Sequence, residues 1–107
     1  MEILKADFVR VLRAEILKAA YESHSLRLPR LSLVPLQTHL DRLHFDVSED
    51  DLATVLEDLK DRGYVSYERD EVAWRKHRRL RIGKIQATPA GRDLVEQTKA
   101  DPAVQFN

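Results

Sequence analysis

The 107-residue chain has no cysteine, only three glycines and no long uncharged apolar run. The absence of cysteine excludes disulfide bonds, thiolate metal sites and cysteine nucleophiles. Three glycines are too few for phosphate-cradling loops, and the chain has no P-loop motif and no G-x-S-x-G motif. No segment approaches the roughly 20 apolar residues of a membrane span, and the charged N-terminus is unlike a signal peptide. We therefore expect a soluble, single-domain, cytoplasmic protein that is not an enzyme and holds no cofactor.

Charges of opposite sign are separated along the chain, although its 18 basic and 18 acidic residues balance. Residues 41–61 contain eight acids and two bases, whereas residues 69–84 contain seven bases and two acids. This separation predicts a dipolar molecule, so a net charge of zero does not exclude an anionic partner for the basic segment.

Apolar spacing and capping signals predict four helices and two strands. The predicted helices cover about 4–21, 33–43, 49–62 and 89–99, and the predicted strands about 64–69 and 80–87. Ser48 is the predicted N-cap of the third helix, and Gly63 suits a left-handed C-cap. The alternation slips at Gly83-Lys84, which indicates a β-bulge. Thr88-Pro89 marks the start of the last helix. The polar stretch between the strands is predicted to be a loop.

Two segments resemble winged helix-turn-helix families. Residues 47–65 (VSEDDLATVLEDLKDRGYV) are similar to the third helix and first wing strand of PadR, MarR and ArsR-like regulators. Residues 87–96 (ATPAGRDLVE) are similar to the strand exit and following helix of the same families. More loosely, the whole chain resembles small winged-helix proteins of Mu-like prophages. The resemblance implies an α+β, mostly helical winged helix domain over residues 1–100 with a short antiparallel wing, followed by a tail at 101–107.

The resemblance also implies a DNA-binding transcriptional regulator whose third helix enters the major groove. The third helix departs from that pattern, because its predicted solvent face consists mainly of acids, which DNA phosphates repel. The residues of this acidic face are Glu49, Asp50, Ala53, Thr54, Glu57, Asp58 and Asp61. We therefore expect the basic wing to make the main contact, since Arg and Lys neutralise phosphates and Trp stacks on bases. The candidate residues are Trp74, Arg75, Lys76, Arg78, Arg79 and Arg81. A solvated hairpin explains the same residues without function.

A protein-interaction module is the alternative function, in which every residue of the acidic face except Ala53 contacts a basic partner and no DNA is bound. A merely solvated helix also explains that face. We further expect a homodimer through the first helix, because its apolar face is wider than one small core requires. No metal site is expected, since His39 and His44 are five residues apart and no cysteine is present.

Overall fold

The computed structural model describes residues 6–25, 31–74 and 77–106, with the backbone alone at 6, 24–25, 71–74 and 77–80. Its elements are α1 (Ala6–Ser25), α2 (Leu33–Arg42), α3 (Glu49–Asp61), β1 (Val65–Trp74), β2 (His77–Ala87) and α4 (Pro89–Val95). The described residues therefore form a small, mostly helical α+β fold with one two-stranded antiparallel sheet, in agreement with the predicted class. None of the described helices has the length and apolar character needed to cross a membrane.

Both strands are longer than the sequence predicts, and this is the main difference between the predicted and the observed elements. β1 continues to Trp74 and β2 begins at His77, so most of the stretch predicted as a loop is paired strand. Polar residues on both faces of the two strands hide the period-two signal, while opposite charges such as Asp70 and Arg81 meet across the pair. Among the helices, α1 extends to Ser25 instead of about residue 21, and α4 ends at Val95 instead of about residue 99.

Both ends of α3 confirm the local signals in the sequence. The Ser48 hydroxyl accepts a hydrogen bond from the Asp51 N–H at 3.2 Å, which caps the first turn. At the other end Gly63 has φ +83°, and the N–H groups of Gly63 and Tyr64 donate to the last turn at 2.9 and 3.0 Å. This is a Schellman motif, in which the residue after the C-cap must adopt a left-handed conformation.

A β-bulge interrupts the two-stranded sheet near its start. The pairing shifts between Ser66 and Glu68 of β1, and Lys84 on the opposing strand has φ +54°. The bulge predicted at this position is therefore confirmed. Next to it, the Ile85 N–H donates to the Leu31 carbonyl at 2.9 Å, which places the segment preceding α2 at the outer edge of β2.

The N-cap residue of α4, which follows β2, is hydrogen-bonded to the residues that precede β1. The Thr88 hydroxyl accepts from the Gly91 N–H at 3.1 Å and donates to the Gly63 carbonyl at 2.5 Å. The Thr88 N–H also donates to the Tyr64 carbonyl at 2.9 Å. These bonds close the base of the β1–β2 hairpin and fix the start of α4 against the end of α3.

One hydrophobic core unites the helices with the base of the hairpin. Its fully buried large side chains are Leu12, Ile16, Leu17, Leu36, Leu40, Leu52, Leu56, Leu59 and Ile85. Three of these side chains, Leu12, Ile16 and Leu17, belong to α1, so a large part of its apolar face is buried within one chain.

The C-terminal residues are not the tail that the sequence predicts. Val104 is only 6 % exposed and belongs to the core, and Phe106 packs beside it. The Gln105 N–H donates to the Arg10 carbonyl of α1 at 3.1 Å. The prediction failed because one buried valine in a short polar segment leaves no periodic pattern.

Candidate nucleic-acid interface

The register of the hairpin determines where the predicted wing residues lie. Beyond the bulge the strands pair continuously, from Asp70 opposite Arg81 to Trp74 opposite His77. Since alternate residues of a strand lie on the same face, positions 79 and 81 share one face and position 78 lies on the other. Most of the stretch predicted as a basic loop is therefore strand, and its described residues are distributed over both faces of an extended hairpin.

Several candidate residues are described only in part. Arg75 and Lys76 lie outside the described residues, and so do the side chains of Trp74, Arg78 and Arg79. Arg81 is described in full and is exposed to solvent. The structure thus fixes the strand positions of four of the six candidates and the exposure of one.

Ion pairs neutralise the bases at the root of the hairpin. The Arg69 guanidinium lies 3.4 Å from the Glu57 carboxylate of α3, and the Lys84 ammonium lies 3.0 Å from Glu68 on the opposing strand. Four of the other five bases belong to residues 72–79, which contain no acid, and the fifth, Arg81, is paired across the strands with Asp70. We call residues 72–79 the distal half of the hairpin. The bases at the root are therefore paired with acids, whereas the distal half carries an excess of about +4.

Four members of the acidic face are exposed as predicted and make no ion pair in the part of the chain that the structure describes: Glu49, Asp50, Thr54 and Asp61. The Thr54 hydroxyl donates to the Asp50 carbonyl of the preceding turn at 3.0 Å. This local bond occupies the donor of Thr54, whereas the neighbouring carboxylates face solvent.

Two members of the predicted face lie elsewhere. Ala53 is only 8 % exposed and belongs to the core. The Asp58 carboxylate lies 2.8 Å from the Arg13 guanidinium of α1 and 3.1 Å from that of Arg62. Asp58 thus joins α3 to α1 instead of facing a partner. At the opposite side of the helix surface, the Lys60 ammonium lies 5.0 Å from the centre of the Tyr67 ring.

A polar cluster that the sequence did not reveal lies where α3 meets β1. The Tyr64 hydroxyl donates to Asp101 at 2.5 Å, and the Ala103 N–H donates to the other carboxylate oxygen at 2.8 Å. The hydrogen bond from Tyr64, followed by that from Ala103, lowers the pKa of the Asp101 carboxyl. The same Tyr64–Asp101 bond, with burial, raises the pKa of the Tyr64 hydroxyl. No sequence signal identifies this pair, because its members are 37 residues apart and no local pattern links them.

Metal chemistry finds no support in the described residues. Within the ranges that the structure describes, no group of three or more His, Asp or Glu side chains is placed to hold a metal ion. His39 and His44 are both exposed, on the last turn of α2 and just after it.

The described residues define a class of structure, namely a small α+β fold of four helices with a two-stranded antiparallel sheet. No protein-family model matches the chain, and no curated protein matches it. The winged-helix interpretation therefore rests on the order and geometry of the elements.

Proposed function

We propose that this chain is a winged helix-turn-helix protein that binds DNA through the distal half of its hairpin and acts in transcription regulation. The order of three helices, hairpin and fourth helix supports the fold. The bond between Leu31 and Ile85 adds support, because it brings the segment preceding α2 to the sheet as a third strand position would. The main support for DNA binding is that the bases at the root of the hairpin are paired with acids, while the distal half carries an excess of bases.

The register of the strands determines how far the basic residues extend from the helices. Four residue pairs lie beyond Asp70 and Arg81, and they extend the hairpin by about 14 Å. Four bases without an acid in residues 72–79 favour contact with a polyphosphate, because each neutralised phosphate releases a counterion. The acidic face of α3 argues against insertion of that helix into the major groove. The hairpin therefore makes the main contact in this proposal, mostly with the backbone and with little sequence preference.

Salt-dependent binding to a fluorescent duplex tests this proposal. The triple variant Arg75→Ala, Arg78→Ala, Arg79→Ala should weaken binding to every sequence alike and flatten the salt slope by up to about three. A charge-matched control removes three exposed bases from the rest of the surface: Arg42→Ala, Lys60→Ala and Lys99→Ala. The control should keep most of the wild-type slope. Equal losses in both variants would mean that binding follows net charge and not the hairpin.

A protein-interaction module is the second candidate function, and the exposed acids of α3 favour it. Glu49, Asp50 and Asp61 are directed to solvent and make no ion pair with the described residues, so a basic protein surface would find them available. Asp58 no longer belongs to this surface, since Arg13 and Arg62 contact it. This function replaces the first if wild-type protein binds neither DNA nor RNA at low salt and the triple variant Glu49→Gln, Asp50→Asn, Asp61→Asn loses a protein complex.

A homodimer through α1 stays a prediction. It rests mainly on the likeness to winged-helix families that pair through terminal helices, because the core of one chain already buries Leu12, Ile16 and Leu17 of α1. Light scattering at tens of micromolar decides the matter. A mass near 12.4 kDa, the mass of one chain, would exclude the dimer.

A further inference from the structure

The C-terminal segment lies across α1 and is held there by few contacts. Val104 is its one buried side chain among residues 101–106, and Phe106 is partly buried beside it. The Gln105 N–H donates to the Arg10 carbonyl at 3.1 Å, and the Arg13 guanidinium donates to the Ala103 carbonyl at 3.1 Å. The segment is therefore attached by one buried and one partly buried apolar side chain and by two hydrogen bonds to α1.

A second attachment joins the segment to the base of the hairpin. Tyr64 donates its hydroxyl proton to Asp101 at 2.5 Å, while the Tyr64 carbonyl accepts the Thr88 N–H. One residue thus contacts the C-terminal segment with its side chain and closes the hairpin with its backbone. Arg62 lies 4.0 Å from the same carboxylate and adds an ionic contact.

We propose that residues 101–106 form a clasp that opens while the helical core stays folded, and that the hydrogen bond between Tyr64 and Asp101 is its latch. Local opening requires a segment with little buried apolar area and few bonds to the rest of the chain. The clasp has one buried side chain, whereas α3 contributes five to the core. This proposal does not depend on DNA binding, because it concerns contacts within the chain.

Opening of the clasp changes two surfaces. It uncovers the part of α1 that includes Arg10 and Arg13, and it frees the Tyr64 side chain at the junction of α3 and β1. The clasp therefore connects the state of the C-terminus to the base of the hairpin, about 40 residues away in sequence.

The latch needs an ionised Asp101 and a neutral Tyr64, so it is sensitive to pH from both sides. The charged and titratable groups that face Asp101 are Tyr64, Arg62 from the end of α3 and Arg13 from α1. The Asp58 carboxylate contacts the same two arginines, so their positive charge acts on Asp58 as well as on Asp101. Protonation of Asp101 at acid pH and ionisation of Tyr64 at alkaline pH both weaken the latch, and between these limits the clasp stays closed.

Native-state amide exchange of the full chain tests the clasp. In wild type, the amides of Val104 and Gln105 should exchange through a local opening, with protection at least about tenfold lower than Leu56 and Leu59 in α3. Equal protection of the two groups at all denaturant concentrations would show that the segment unfolds only with the core, and the proposal would be overturned.

Two variants test the latch separately. Tyr64→Phe keeps the ring and removes the hydroxyl, and it should lower protection of Gln105 by about tenfold without changing that of Leu56. Tyr67→Phe, a matched control near the hairpin base, should leave Gln105 unchanged. If Tyr64→Phe fails to fold, Asp101→Asn replaces it and should also abolish the pH dependence of the Gln105 protection factor on the acid side, where Asp101 titrates. A change of less than about twofold in either variant would show that the Tyr64–Asp101 bond is not the latch.

Discussion

Gly91 offers the sharpest test of how α4 is placed. An ideal Cβ at this position would lie 2.1 Å from the Tyr64 carbonyl oxygen and 3.0 Å from the Leu17 Cδ1 atom. The carbonyl is backbone and also accepts the Thr88 N–H, so it cannot yield without breaking that bond. Because the start of α4 must move away from the base of the hairpin, Gly91→Ala should disturb both elements.

The expected magnitude combines two opposing effects. Alanine favours a helix over glycine by about 1 kcal/mol. Overpacking against an unyielding neighbour costs about 1–3 kcal/mol, and the disturbed Thr88–Tyr64 bond adds about 1 kcal/mol. We therefore expect a net loss of about 2 kcal/mol in the free energy of unfolding, with a melting temperature lower by roughly 10 °C.

Urea and thermal unfolding, followed by circular dichroism, measure this loss. Gly83→Ala is the matched control, because a Cβ at Gly83 meets no atom within 4 Å. That variant should lie within about 0.5 kcal/mol of wild type. If Gly91→Ala is as stable as Gly83→Ala, α4 does not approach Tyr64 as closely as described, and the reasoning is refuted.

The remaining predictions concern helix ends and charged contacts. His44, after α2, has φ +67°, so His44→Gly should stabilise the protein by about 0.5–1 kcal/mol in urea unfolding. Gly63→Val should lower the free energy of unfolding by at least about 1 kcal/mol, because a residue with a Cβ is strained at the positive φ of Gly63. An unchanged melting temperature would contradict the left-handed cap. Asp58→Asn should lower the free energy of unfolding by about 1 kcal/mol, because Arg13 and Arg62 lose their partner. Glu57→Gln should be as stable as wild type and should bind DNA equally well or more tightly. Asp101 has a lowered pKa in the folded state, so its stabilisation is complete above the unfolded value of about 3.9 and is lost as the pH falls through the folded value. The difference in unfolding free energy between wild type and Asp101→Asn should therefore shrink between pH 7 and pH 3.

The helices could be predicted from the sequence because their signals are local. Ser48, Gly63 and the apolar spacing between them act within a few residues, and the structure confirms each. The bulge near Lys84 was also predictable, since a slip in alternation is visible along one strand.

The features that the sequence did not reveal depend on contacts between distant segments. Gly91 has an ordinary place in a helix, and only the approach of Tyr64 makes the absence of a Cβ necessary. The packing of Val104 and the bond from Tyr64 to Asp101 depend on the position of α1 and cannot be read from their neighbours in sequence.

In the candidate site too, the local features could be predicted from the sequence, whereas the contacts between distant segments could not. Composition and order identified the bases of the hairpin and the acids of α3. The pairing of Arg69 with Glu57, and of Lys84 with Glu68, required the register and the packing of α3 against the hairpin. Without them, all seven bases of residues 69–84 would be counted as equally available to a polyanion.

The closed base of the hairpin makes the hairpin a separable module. Thr88 bonds to Gly63 and Tyr64, so the chain leaves the helical body and returns to it at almost the same point. Deleting one residue from each strand beyond Asp70, in register, should shorten the ribbon without changing the body to which it is attached. Charge and reach of the hairpin are thus free to vary from one sequence to another while a single helical scaffold is kept.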